Sequence, residues 1–166
     1  MTILVIAEHN HNELSPATLS TITAAQKLSG DVDILLLGDK VSHIQGQLQS
    51  IPGVTSVITC DHPRLKHAIS EDMVPTILKA LDHKIYSHIL APATTFGKNL
   101  MPQVAALKGV GQLSDVIEII DEKTFVRPIY AGNALITVES LDPLKAITIR
   151  TTAFERAPLT GGKASL

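Results

Sequence analysis

Apolar residues in the first two-thirds of this chain alternate between short unbroken runs and helically spaced stripes. Ile3 to Ala7, Val32 to Leu37, Val54 to Cys60 and Ser87 to Ala91 read as strands. Runs this continuous mark strands buried on both faces, not strands with one wet side. Between the first two, Ser15 is placed as an N-cap with Pro16 at the first helical position, and Leu14 and Leu19 form a staple across the helix start. Leu19, Ile22, Ala25 and Leu28 then keep one face apolar as far as Gly30, where a left-handed C-terminus is accommodated. A weaker helix is predicted over Val41 to Gln49, stopped by Pro52 and Gly53. Val74, Ile77, Leu78 and Leu81 give the clearest stripe. Pro75 requires that helix to begin near Met73, because a proline deeper in loses a backbone bond. Leu100, Val104 and Leu107 mark a fourth helix that ends near Gly109.

Four consecutive strand–helix units predict an α/β fold class, a three-layer Rossmann-like sandwich with a mainly parallel sheet. Past Gly109 the helical signal stops. Leu113 to Ile120, Thr124 to Tyr130, Ala134 to Ser140 and Ala146 to Thr151 are strand candidates separated by the turns Asp121-Glu122-Lys123, Gly132-Asn133 and Asp142-Pro143. They are expected to add C-terminal strands that pair antiparallel. Ala157 to Leu166, small and polar with Gly161-Gly162, reads as an unpacked linker, so one α/β domain over residues 1–156 followed by a linker over 157–166 is expected.

Composition narrows the function classes. Of 166 residues, 45% are hydrophobic and 18% charged, and 14 Lys plus Arg against 16 Asp plus Glu leave a formal charge of −2. That balance provides no polycationic field for nucleic acid or an anionic membrane, and no apolar run approaches the ~20 residues that cross a bilayer. No basic leader or small-residue cleavage site precedes Ile3, so a bacterial cytoplasmic location is expected. The single cysteine, Cys60, forms no internal disulfide and no multi-thiolate metal site.

Candidate chemistry is sparse. The turn after the first strand reads Glu8-His9-Asn10-His11-Asn12, too bulky for the glycine fingerprint that brings backbone against a pyrophosphate. Gly97-Lys98 has Pro92 where a P-loop needs its first glycine and Asn99 where Mg²⁺ needs a hydroxyl. The loop Thr94 to Asn99 still joins a strand end to a helix start and offers free donors and one cation. Either it binds an anion, or Thr95 caps the helix while Gly97 permits a close backbone approach. His9 and His11, and the scattered His62, His67, His83 and His88, have no carboxylate partner at ligand spacing and read as solvated surface residues. No nucleophile elbow exists, Cys60 reads as a packed strand residue, and Asp121-Glu122 reads as solvated turn charge. Catalytic, cofactor-binding and metal-ligating residues are therefore expected to be none. The segment Phe125 to Ala134 concentrates an Arg and two of the five aromatic residues at one hairpin. Arg127 and Tyr130 suit a surface buried against a partner, and an internal Arg–carboxylate pair suits the same residues.

Several long stretches resemble the N-terminal domain of the electron transfer flavoprotein alpha subunit. They are Ile3 to Glu8, Ser87 to Ala106, Leu113-Ser114-Asp115-Val116 and Phe125 to Ala134, and the likeness runs over essentially the whole chain. The resemblance implies a heterodimer with a beta subunit. FAD in that full-length heterodimer carries electrons from acyl-CoA and other dehydrogenases to a membrane quinone reductase. It also implies that most FAD contacts lie in a C-terminal domain absent from this chain, so FAD is not expected here. The domain itself is implied to be a scaffold and subunit interface, similar in fold to the AMP-holding beta subunit, with Arg127, Tyr130 and Asn133 near the docking region. One departure is Gln103, where the family often has a basic residue after the proline of its Lys-Asn-Leu-x-Pro run. From the residues alone, the loop Thr94 to Asn99 leaves a second reading, a free-standing adenine-nucleotide-binding regulatory domain. Neither reading involves nucleic acid or membrane insertion.

Overall fold

A computed structural model describes residues 1–166. Its strands and helices run in the order β1 (Thr2–Ile6), α1 (Pro16–Ala25), β2 (Asp31–Gly38), α2 (Ser42–Gln49), β3 (Ser56–Asp61), α3 (Ser70–Asp82), β4 (His88–Pro92), α4 (Thr95–Lys108), β5 (Gln112–Val116), β6 (Glu118–Ile119), β7 (Thr124–Ile129), β8 (Ala134–Glu139) and β9 (Lys145–Ile149). Six strands form one sheet in the order β3-β2-β1-β4-β9-β5, and every neighbouring pair in it is parallel. Side chains alternate across a strand, so β1 serves two cores. Ile3 and Val5 pack toward α1 and α2, while Leu4 and Ile6 pack toward α3 and α4. All four are fully buried, and each such side chain contributes about 1.5–3 kcal/mol by leaving water. The three-layer α/β sandwich with a mainly parallel sheet is the architecture read from the sequence.

Helix starts follow local chemistry, with two departures. Ser15 Oγ accepts from the Ala17 N–H at 3.3 Å, as an N-cap does. The cap of α4 is Thr94 instead of Thr95. Helix α3 begins at Ser70, three residues before the expected start, and carries Pro75 inside it. Glu71 and Asp72 in its first turn favour that extension through the helix dipole. Arg64 pairs with Asp72 at 2.7 Å beside them.

The region past Gly109 divides in two. Only β6, β7 and β8 pair antiparallel; β9 inserts between β4 and β5, parallel to both. The expectation that all four late strands pair antiparallel fails here for a physical reason. Ala146 to Ile149 are all buried, the signature of a central strand, whereas β8 alternates half-buried and exposed positions. The parallel crossover from β5 to β9 is made by a hairpin where a helix is usual. The expected single strand over Leu113 to Ile120 divides at Ile117 into β5 and β6, and β5 itself carries a register shift between Leu113 and Val116, with Asp115 in the left-handed region at φ +61°. Asp115 is held there by Arg150, whose Nε donates to Oδ1 at 3.1 Å and whose Nη2 pairs with Oδ2. Its own N–H donates to Thr148 Oγ1 at 2.9 Å.

The last ten residues are docked, which corrects their reading as an unpacked stretch. Gly162 N–H donates to Ser50 O, Ala164 N–H to Gln49 O and Ser165 N–H to Thr55 O, and Val57 N–H returns a bond to Ser165 O. Gly162 has to be glycine for this approach, because a Cβ there would lie 2.2 Å from the Ile51 carbonyl oxygen. The tail thus pairs with the outer edge of β3.

Candidate functional site

Phe125 anchors the antiparallel hairpin to the main sheet. It is fully buried beside Val116, Ile147 and Ile149, and its ring meets His88 edge-on at 6.2 Å. One turn of register further, Arg127 projects to the same side and holds β7 against β5. Its Nε donates to Ser114 O at 2.8 Å and its Nη2 to Ser114 Oγ at 2.6 Å. Arg127 is therefore a positioning residue for the hairpin, and its partner is a serine, not the carboxylate one sequence reading allowed.

The tip carries the exposed chemistry. Tyr130 is 78% exposed, and Leu135 on β8 is 62% exposed. The Asn133 N–H donates to Tyr130 O at 3.1 Å and closes the turn. Tyr130, Ala131 and Gly132 stand consecutively at φ +49°, +54° and +92°. Two non-glycine residues in the left-handed region cost about 1–2 kcal/mol each, and the Tyr130 ring at this turn is exposed. Of the three residues assigned from sequence, Tyr130 and Asn133 share the exposed tip and Arg127 sits behind them.

His88 is a participant that the sequence reading placed at the surface. It is 1% exposed on β4, with Nε2 2.9 Å from Glu122 O in the hairpin turn and Nδ1 2.8 Å from Ser87 Oγ. The strand pattern over Ser87 to Ala91 already implied its burial. Burial lowers its pKa, with Lys145 adding to the shift, while the contacts to Glu122 oppose it. The folded chain thus favours neutral imidazole, whereas the unfolded chain takes up a proton near the ordinary 6.5. Stability is expected to fall as pH drops below about 6.5. Thermal melts from pH 7.5 to 5.5 check this, and His88→Gln should flatten the decline.

The strand order reverses between β1 and β4, so the crevice at their carboxyl ends is where a doubly wound sheet binds ligands. Here Glu8 fills it. Thr94 Oγ1 donates to Glu8 Oε2 at 3.1 Å, Ser15 Oγ approaches the same oxygen at 3.5 Å, and the Glu8 N–H donates to Thr18 Oγ1 at 2.8 Å. Burial raises the Glu8 pKa, the two hydroxyls opposing it. A carboxylate on the cap of α4 repels a phosphate, so the residues at this crevice do not fit a nucleotide pyrophosphate. His9 alongside is also not a solvated histidine. Its Nε2 lies 2.8 Å from Leu37 O and its Nδ1 accepts from the His11 N–H at 3.0 Å. Burial lowers its pKa, with the neighbouring imidazoles adding to the shift, so the Nε2–H tautomer satisfies both contacts.

No group of three or more His, Cys, Asp or Glu side chains converges to hold a metal. A polar cavity of about 240 Å³ lies between the end of β3 and α3, and it includes Cys60 and His62. Its guanidinium, Arg64, is already bonded to Asp72. No helix is long and apolar enough to cross a membrane.

The fold is thus a doubly wound α/β domain with Glu8 at its switch point and a projecting antiparallel hairpin. The sequence matches the electron transfer flavoprotein domain over residues 3–166, and the chain belongs to that family. It is 45% identical to the mitochondrial electron transfer flavoprotein subunit alpha of Dictyostelium discoideum, over 99% of this chain and 48% of that protein. It is likewise 45% identical to the subunit alpha of Pseudomonas aeruginosa, over 100% of this chain and 53% of the relative. A probable mitochondrial subunit alpha of Schizosaccharomyces pombe is 36% identical over 96% of this chain and 47% of its own length. The chain spans about half the length of these relatives, which are named as alpha subunits of electron transfer flavoproteins.

Proposed function

We propose that this domain is the N-terminal scaffold of an electron transfer flavoprotein alpha subunit and that its hairpin docks the beta subunit. In the complete heterodimer FAD carries electrons from acyl-CoA and other dehydrogenases to a quinone reductase, with the flavin contacts outside residues 1–166. The supporting observation is the tip itself: Tyr130 is exposed on a turn with two non-glycine residues at positive φ, and Leu135 on β8 is exposed as well. Tyrosine in that setting is an interface anchor with a large rigid body and a polar end. The closed crevice beside Glu8 agrees with a domain that presents surfaces and holds no coenzyme of its own.

The test is titration of the folded chain with its beta subunit by calorimetry. Tyr130→Ala is expected to cost about 2 kcal/mol, roughly thirtyfold in Kd, with the melting transition of the free chain retained. Unchanged affinity would remove the hairpin from the interface. Absorbance of the purified chain tests the flavin assignment, since a stoichiometric flavin spectrum contradicts it.

A further inference from the structure

Residues His9 to Leu14 join β1 to α1 and fold back on themselves. The Asn10 N–H donates to Glu13 O, Asn10 Oδ1 accepts from the Asn12 and Glu13 N–H groups, and His9 pairs with Leu14 in an isolated antiparallel bridge. Two hydrogen bonds tie this segment to the rest of the domain, and an imidazole makes each of them. His9 Nε2 lies 2.8 Å from Leu37 O near the end of β2, and His43 Nε2 on α2 lies 3.2 Å from Asn12 O. The His9 ring rests directly on Gly38, where a Cβ would come within 2.9 Å of its Cε1.

This arrangement tolerates one protonation state of His9. Leu37 O needs a donor at Nε2, and the His11 N–H, 3.0 Å from Nδ1, needs an acceptor there. Neutral imidazole supplies one of each. A further proton on Nδ1 would face the His11 N–H, donor against donor. His11 is poorly placed to resist: its backbone stands at φ +70° and its buried Nδ1 bonds to nothing in the protein, while its ring meets that of His9 edge-on at 5.1 Å. The groups whose charge acts on His9 are His11 on the same segment and His43 on α2, and both turn positive in acid. Of the nearby carboxylates, Glu8 is engaged by Thr94 and Ser15, and Asp61 accepts from the Lys40 and Val41 N–H groups. Asp39 stands beside Lys40, and Glu13 is exposed on the segment itself.

We propose that His9 to Leu14 form an acid-released strap, closed over the carboxyl end of β2 while His9 is neutral and opened when His9 takes up a second ring proton. Opening uncovers Gly38, at the end of the sheet where doubly wound domains receive ligands. The direction follows from linkage. With the strap closed, burial holds the His9 pKa below the ordinary 6.5, His11 and His43 adding to the shift and the Leu37 carbonyl opposing it. In the open segment the ring titrates near that ordinary value. The closed strap is therefore fully held above about pH 6.5. Below it the opening constant rises by up to about tenfold for each pH unit, until the ring in the closed strap is itself protonated.

Imidazole nitrogen NMR and amide hydrogen exchange on this chain between pH 7.5 and pH 5.0 test both halves of the proposal. His9 is expected as the Nε2–H tautomer at the upper limit, with its second proton arriving below pH 6.5. In step with that proton, the protection factor of the His11 amide should fall by about tenfold or more. His9→Gln offers a donor and an acceptor with no titrating ring, and should hold that protection within roughly twofold over the same range. His88→Gln, which relieves the acid sensitivity of the whole fold, should leave the strap's response unchanged. Unaltered His11 protection while His9 protonates overturns the proposal. So does a full-sized loss in His9→Gln, or a response that disappears in His88→Gln, since the change is then not local to the strap. If His9→Gln leaves the amide unprotected at every pH, the coincidence of ring protonation and amide release in the unmodified chain decides.

Discussion

Gly97→Ala is expected to destabilise the chain by about 3 kcal/mol or more, a large part of the 5–15 kcal/mol that holds an ordinary domain folded. A Cβ at this position would lie 1.9 Å from the Pro92 carbonyl oxygen and 3.2 Å from Ala91 Cβ. The backbone there is not left-handed, so space alone demands glycine. Nor can the obstacle retreat: β4 is clamped between β1 and β9, and the Ala93 N–H donates to Ile149 O at 2.8 Å just beyond it. The start of α4 must instead move off the sheet and take Thr94 away from Glu8. Gly46→Ala is the control, because that exposed helix position in α2 has nothing within 4 Å of its Cβ. It should gain about 0.5–1 kcal/mol from reduced backbone entropy in the unfolded chain. Urea unfolding of both variants checks the pair, and a Gly97→Ala loss below 1 kcal/mol would show that helix and strand are less tightly seated than described.

The sandwich was legible because each of its first four strands is a continuous apolar run and each helix has its own stripe or cap. The placement of β9 was not, although Ala146 to Ile149 form as continuous a run as β1. The absence of helices around it suggested a meander, and local pattern does not report which existing strand a late strand will join. Its buried character was readable; its neighbours β4 and β5 were not. The close approach at Gly97 was readable as one of two alternatives, and Tyr130 stood out from its scarcity. The roles of Glu8, His88 and Asp33 were not readable because each is defined by partners distant in the chain. Thr94, Glu122 and Tyr86 lie 86, 34 and 53 residues away from them. A single charged or titratable residue within or just after an apolar run was the only local hint, and it applied to all three.

Asp33→Ala is expected to cost about 3 kcal/mol, because it dismantles the one buried carboxylate network at the amino end of the sheet. Asp33 is 1% exposed on β2 and accepts from Ser56 Oγ at 2.6 Å, Lys84 Nζ at 2.9 Å and Tyr86 OH at 3.1 Å. Three donors, one of them charged, offset the desolvation of the carboxylate. Their loss strands the Tyr86 and Ser56 hydroxyls in a space that Asp33 no longer fills. The Lys84 side chain is 45% exposed and turns to water, which keeps the penalty below that of a fully buried ion pair. Asp33→Asn retains an acceptor and should cost less. The same network sets an alkaline signature. Burial first, then the Asp33 charge and hydrogen bond, raise the Tyr86 pKa well above its ordinary 10.0. The folded chain therefore holds the phenol proton that the unfolded chain releases, so stability is retained up to about pH 10 and declines as pH rises further. Asp33→Asn removes the charge but not the burial, and should make that alkaline decline shallower without abolishing it. Guanidinium unfolding at pH 8 and pH 11 separates the two contributions. An equal decline in both proteins would mean that Asp33 does not act on Tyr86.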